Sequence, residues 1–141
     1  MVVRLGPKSA DTTLTLMGEV VTAQSTTNAI VKGINGVSFP YSQDIKLKDT
    51  DLLKSGLKTG KAAFANADQL WMWNVTGRVY KTYAAKAGTG VTNWYTCDAN
   101  WGLPAGLSDD VVVNLGSGFW VRTVTNVFSW VETNRYNGNL H

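Results

Sequence analysis

Short runs of alternating apolar and polar residues, each ended by Gly, Asn or Pro, recur through this chain. In Ile45-Lys46-Leu47-Lys48 the two aliphatic side chains fall on one side and the two lysines on the other. Leu14 and Leu16 alternate with Thr13 and Thr15 in the same way. A period of two is the signature of a strand with one face buried. The residue types agree: 16 Thr, 16 Val, six Trp and five Tyr suit strands, while 14 Gly and 11 Asn suit turns. A chain of 141 residues has the length of one domain around one core.

The pattern predicts an all-β fold, a sandwich or open barrel of about eight to ten short strands with one short helix. Residues 1–11 are expected to form a flexible arm or edge segment, 12–133 a single β domain, and 134–141 a flexible tail. Ser25 to Asn28 reads as a turn. Ala29 to Phe39 reads as a β-rich stretch broken by Gly33 and by Asn35-Gly36, a favoured hairpin pair. Asp49 or Thr50 is placed to cap a helical turn or two through Leu52 and Leu53, stopping at Gly56. Residues 57–67 read as a loop. Asp68 to Tyr83 is the clearest hairpin, with Leu70 to Trp73 going out, Asn74 to Gly77 turning, and Arg78 to Tyr83 returning. Trp101 to Gly106 reads as a loop around Pro104. Val111-Val112-Val113, apolar on both faces, reads as a short central strand. Gly116-Ser117-Gly118 turns into Phe119-Trp120-Val121, with Phe119 and Val121 facing the core and Trp120 facing away. Thr123 to Glu132 supplies the last strand.

Charge and motifs exclude more than they assign. Net charge is +3 from 13 basic and 10 acidic residues, too mild for the dense basic stripe of a nucleic-acid binder. Lys46, Lys48, Lys54, Lys58 and Lys61 are interleaved with Asp44, Asp49 and Asp51, so that stretch reads as a solvated mixed-charge face. Cys97 is the only cysteine; it permits no intrachain disulfide and reads as a small buried side chain. No apolar run approaches the ~20 residues of a membrane span. The opening residues lack a signal peptide's apolar core, so either the protein stays in the cytoplasm or a leader has been removed, and in the second case the expected location is extracellular or cell-surface.

No catalytic set assembles, and the expectation is a non-enzyme without cofactor or metal. The single histidine, His141, ends the chain, where a catalytic base has little to hold it. Asp109 and Asp110 are adjacent, and neighbours in a strand point to opposite faces, so they read as a turn into the valine strand. Gly56 to Lys61 imitates a phosphate loop, but three residues separate the glycines where four are required, and Ala62 replaces the magnesium-binding hydroxyl. Asn74-Val75-Thr76 matches a glycosylation acceptor and equally a hairpin turn.

The aromatic residues carry the most information. Trp71 and Trp73 share a strand face. Together with Trp120, Phe128 and Trp130 they read mostly as core or cross-strand ladder. Trp94, Tyr95 and Trp101 stand in loop-like text. With Trp120 they are the candidate interface or ligand-stacking residues, for a neighbouring subunit or for sugar rings.

Four segments resemble a known class. Gly-Ile-Asn-Gly-Val-Ser-Phe-Pro (33–40), Asp-Gln-Leu-Trp-Met-Trp-Asn (68–74), Tyr-Lys-Thr-Tyr (80–83) and Asn-Leu-Gly-Ser-Gly-Phe-Trp-Val-Arg (114–122) stand in that order. Together they resemble bacterial secreted and surface β domains whose pattern runs Gly-x-Asn-x-Ile-Ser-x-Pro, Asp-x-Ile-x-x-Trp, Pro-Gly-x-Gly-Phe-Trp-Val. They are most similar to versions in Verrucomicrobia-like surface proteins. Leu115 departs from the usual Pro, and the usual signal peptide is missing. The resemblance covers residues 28–124. It implies an extracellular β module without known catalysis, and it carries over no functional residues.

The expected function is that of a structural, self-associating subunit of an extracellular filament, tube or surface layer, its partners being copies of itself. Low charge weakens the repulsion that keeps monomers apart. Ala10 to Val21, with Leu14, Leu16 and Val20 on it, is a candidate donor strand for the next subunit's sheet edge. The alternatives are a carbohydrate-binding module that stacks polysaccharide on Trp94, Tyr95 and Trp101, or a virion or phage structural subunit.

Overall fold

The computed structural model describes residues 21, 23–61, 64, 66–97, 104–125 and 127–135. These form ten strands: β1 (Ser25–Ile30), β2 (Gly33–Ser38), β3 (Ile45–Lys46), β4 (Gln69–Asn74), β5 (Val79–Ala87), β6 (Thr92–Cys97), β7 (Pro104–Leu107), β8 (Val112–Val113), β9 (Gly118–Thr123) and β10 (Phe128–Thr133). A single 3-10 turn, Leu47–Asp49, is the helical element among the described residues. The candidate donor strand with Leu14, Leu16 and Val20, the proposed arm, and Trp101 lie outside the described residues.

Six strands make one antiparallel sheet in the order β2-β9-β4-β5-β6-β7. Two smaller antiparallel pairs, β1-β10 and β3-β8, complete the all-β architecture. Leu70, Tyr83, Ala85, Trp94, Phe119 and Val121 line the inner face of the large sheet and are buried. Against them pack Ile30 and Trp130 from the β1-β10 pair, and Phe39, Tyr41, Leu47, Leu52 and Leu57 from the connecting chain. The Phe119 and Trp130 rings, 5.8 Å between centroids, join the two layers. Trp94 and Trp130 are fully buried, so truncating either to Ala would cost about 3–5 kcal/mol.

Polar side chains fix the connections that carry this core. Glu132 is fully buried on β10, and its Oε2 accepts from the Asp51 backbone N–H (2.8 Å) and from Trp130 Nε1 (2.9 Å). Its Oε1 accepts from Arg135 at 2.6 Å, and Arg135 also reaches Asp51 Oδ1 at 3.0 Å. The Tyr41 hydroxyl donates to the Glu132 carbonyl (3.1 Å). Asp68, also fully buried, accepts from the backbone N–H of Lys58 (2.8 Å) and Val124 (3.0 Å). Each carboxylate thereby satisfies backbone donors that would otherwise be buried without partners.

The hairpin of Asp68 to Tyr83 forms as the sequence predicts, and β5 continues past it to Ala87. Its turn is held by the Asn74 Oδ1, which accepts from the Gly77 N–H at 2.6 Å, and Arg78 takes a left-handed φ of 50°. Ile45 and Leu47 are buried while Lys46 and Lys48 are exposed, but the strand expected over Ile45 to Lys48 stops at Lys46 and gives way to the 3-10 turn at Leu47.

Several local expectations are corrected. Ser25 to Asn28 belongs to β1, paired with Val131 to Thr133 and Trp130 of β10. Asn35-Gly36 lies inside β2, because the Asn35 side chain is engaged by Val31 and by the Val121 carbonyl, and the chain does not reverse there: β1 runs on into β2 across a break before Gly33 (φ 110°), pairing first with β10 and then with β9. The expected helix after Thr50 is a set of turns ending at Gly56 (φ 118°). Asp51 and Ser55 there are committed to β10, through Thr133 N–H to Asp51 Oδ2 and through both Val131 backbone groups to Ser55 Oγ. The valine run yields only the two-residue β8, paired with β3 rather than central, with Val113 buried and Val112 exposed. Pro104 to Leu107 is the edge strand β7, not a loop. Asn134, expected in a flexible tail, is buried, and its amide donates to the Ala23 carbonyl at 3.2 Å.

Candidate functional site

The outer face of the large sheet has two parts. On one, Ala84 of β5 is covered by Phe64 and Ala67, with Tyr95 and Cys97 packed alongside. The other carries the exposed Trp73, Tyr80 and Trp120, with Trp71 half-buried beside them. Strand order creates this cluster. β9 lies between β2 and β4, which sets Trp120 opposite Gly36 on one side and Trp71 on the other. β5 then sets Tyr80 opposite Trp73.

The cluster is ordered by its own contacts. The Trp73 and Tyr80 rings meet edge-on, 5.1 Å between centroids at 69°, a favoured aromatic geometry. Trp120 Nε1 donates to the Tyr80 hydroxyl at 3.3 Å. Trp71 Nε1 (3.4 Å) and Arg122 (3.3 Å) both donate to Oε1 of the buried Gln69. Trp73, Tyr80 and Trp120 are 50%, 53% and 41% exposed, and Ile34 on the adjoining edge strand is 57% exposed. Beside Trp120 lies an open groove of ≈ 430 Å³ whose lining includes Gly36, Ser38, Tyr80 and Gly118. Large exposed aromatics gathered from three strands are the chemistry of a contact surface.

Of the residues singled out from sequence, Trp120 is exposed on the outer face as its alternation with Phe119 and Val121 predicts. Trp94 is not a loop residue. It sits on β6 opposite Ala85, fully buried in the core, because β6 is an interior strand flanked by β5 and β7. Tyr95 is on the opposite, outer face, half-buried against Phe64 (6.2 Å). Trp94 and Tyr95 therefore cannot form one stacking platform. Trp73, assigned from sequence to core or ladder, and Tyr80, given no role there, are the residues missed. Alternation shows that Trp71 and Trp73 share a face, but not that the face stays open.

The acidic pair Asp109-Asp110 forms the expected turn, and each residue has a structural partner. Asp109 Oδ1 accepts from the Trp94 N–H at 2.6 Å. Asp110 lies 2.9 Å from both Lys46 and Lys48. Hydrogen bonds from Lys48 and Lys46, and their charge, hold the Asp110 carboxyl down to about 2, and Asp110 raises Lys48 in return. Gly60, in the phosphate-loop imitation, bridges to Lys86 through backbone. No group of three His, Cys, Asp or Glu side chains suited to a metal occurs among the described residues. No helix there is long and apolar enough to cross a membrane.

No protein-family model, no curated protein and no solved structure matches this chain.

Proposed function

We propose that the protein is a non-catalytic, self-associating subunit of an extracellular filament, tube or surface layer, and that the outer aromatic face is its contact surface. The carrying observation is the exposed Trp73–Tyr80–Trp120 cluster, bordered by the exposed Ile34. Trp and Tyr are enriched among residues that dominate binding energy, since they bury much area at little conformational cost. A chain with only 16% charged residues offers little repulsion against such contact. The outer edge of β2 has no neighbouring strand among the described residues and borders the cluster, which supports strand addition by Ala10 to Val21 of a second copy as one route.

Sedimentation velocity over a wide concentration range, with electron microscopy of the same samples, tests this reading. Association into regular particles is expected, and Trp120→Ala with Trp73→Ser should abolish it while circular dichroism shows a folded domain. A monomer at every concentration and salt sinks the reading. Loss of assembly on removing residues 1–21, with both tryptophans intact, would assign the contact to the donor strand instead.

A further inference from the structure

We propose that the recess between the β4–β5 hairpin and the β8–β9 turn is a binding subsite for one neutral sugar residue. Tyr80 and Trp120 do not line this recess but Trp73 does, so the recess borders the self-association face and shares that one residue with it. Its volume is ≈ 460 Å³, within the ~300–1,000 Å³ of small-molecule sites. Met72, Val111 and Phe119 supply apolar surface, and Tyr83, Asn114 and Ser117 supply polar groups.

Tyr83 is the informative residue. It is only 5% exposed and lines the recess. Burial pushes its phenol pKa up. A ligand that fills the recess must pair with the phenol hydroxyl or leave it without a partner.

The lining selects the ligand class. No Asp, Glu, Lys, Arg or His lines the recess, so an ionic ligand would lose water without gaining a counter-charge. A purely apolar ligand would seal the Tyr83 hydroxyl from solvent unpaired. A pyranose ring meets both demands. Its C–H face suits Phe119 and Met72, and its hydroxyls suit the polar groups. The Ser117 hydroxyl donates to the Asn114 carbonyl, which leaves its oxygen to accept from the sugar. Tyr83 can donate, and the Asn114 amide can do both.

The test is an NMR titration of the full chain with glucose, galactose and N-acetylglucosamine, with glucuronate as the charged comparator. Concentrations should reach ~50 mM, above the millimolar dissociation constant of a single weak site. A neutral sugar is expected to shift the signals of Met72, Tyr83, Val111 and Phe119, with glucuronate bound roughly 10-fold more weakly. Tyr83→Phe keeps the ring and should weaken binding roughly 3–10-fold. Asn114→Ala, on an exposed turn, gives the same readout should Tyr83→Phe fail to fold. The proposal is overturned by the absence of shifts at those residues, by shifts confined to Tyr80 and Trp120, or by wild-type affinity in the folded variants. Self-association is read separately by sedimentation, so failure of one leaves the other standing.

Discussion

The Trp120 ring sits over Gly36 so closely that a Cβ on Gly36 would come within 2.9 Å of its Cζ3. The missing side chain on β2 is what lets the indole lie across the edge of the sheet. Gly36→Ala should therefore push the ring outward and break its hydrogen bond to Tyr80. Since Trp120 is already 41% exposed, the cost in stability should stay below about 1 kcal/mol. The Trp120 indole N–H resonance should move and self-association should weaken. An unmoved resonance would refute this account of the site.

Asp68, fully buried just before β4, should be a stability determinant. Asp68→Ala removes the acceptor for the N–H groups of Lys58 and Val124, leaving two backbone donors without their partner. The expected loss is about 3 kcal/mol, read from urea unfolding.

Arg135 should matter although it follows the last strand. Breaking a fully buried ion pair costs about 3–5 kcal/mol; with the Arg135 side chain 32% exposed, Arg135→Ala should cost about 2 kcal/mol. The fully buried Glu132 loses its charged partner in that variant. Thermal unfolding of the variant beside wild type checks this.

Acid should destabilise the fold within a defined window. Burial works to raise Asp51, but hydrogen bonds from Lys54 and Thr133 and the charge of Arg135 outweigh it and hold the carboxyl below 3.8. Asp110 is held down to about 2 by Lys48 and Lys46. A carboxylate with a depressed folded value stabilises the fold above its unfolded value, and that contribution is lost as pH falls through the folded one. Denaturation midpoints should therefore fall from about pH 4 toward about pH 2. Asp110→Asn should flatten part of that slope. It should also remove the alkaline counterpart, the Lys48 contribution that is lost as pH rises above 10.5.

Arg78 holds a left-handed φ of 50° at the β4–β5 turn. Asn tolerates that conformation better than Arg. Arg78→Asn should stabilise the hairpin by about 0.5 kcal/mol, visible as a raised melting temperature.

Much of the architecture was legible because strand alternation is local. Phe119 and Val121 inward with Trp120 outward, and the two faces of the β4–β5 hairpin, follow from side chains two apart sharing a face. The misreadings share one cause. Asn35-Gly36 has the composition of a hairpin, yet contacts with Val31 and Val121 hold it extended. The turns after Thr50 have helix-start residues, yet Asp51 and Ser55 are bound to β10, some 80 positions along the chain. In each case a distant strand outweighed a local propensity.

The candidate site divides in the same way. The sequence by itself determined that Trp71 and Trp73 share a face and that Trp120 opposes its core-facing neighbours, because those relations depend only on the pleat of one strand. Only the tertiary structure decided which aromatic face stays open. Placing β9 between β2 and β4 brings Gly36, Trp120 and Trp71 into one row. Setting β6 inside the sheet buries Trp94 in the core. Strand order joins residues tens of positions apart through backbone hydrogen bonds, and no local periodicity encodes it.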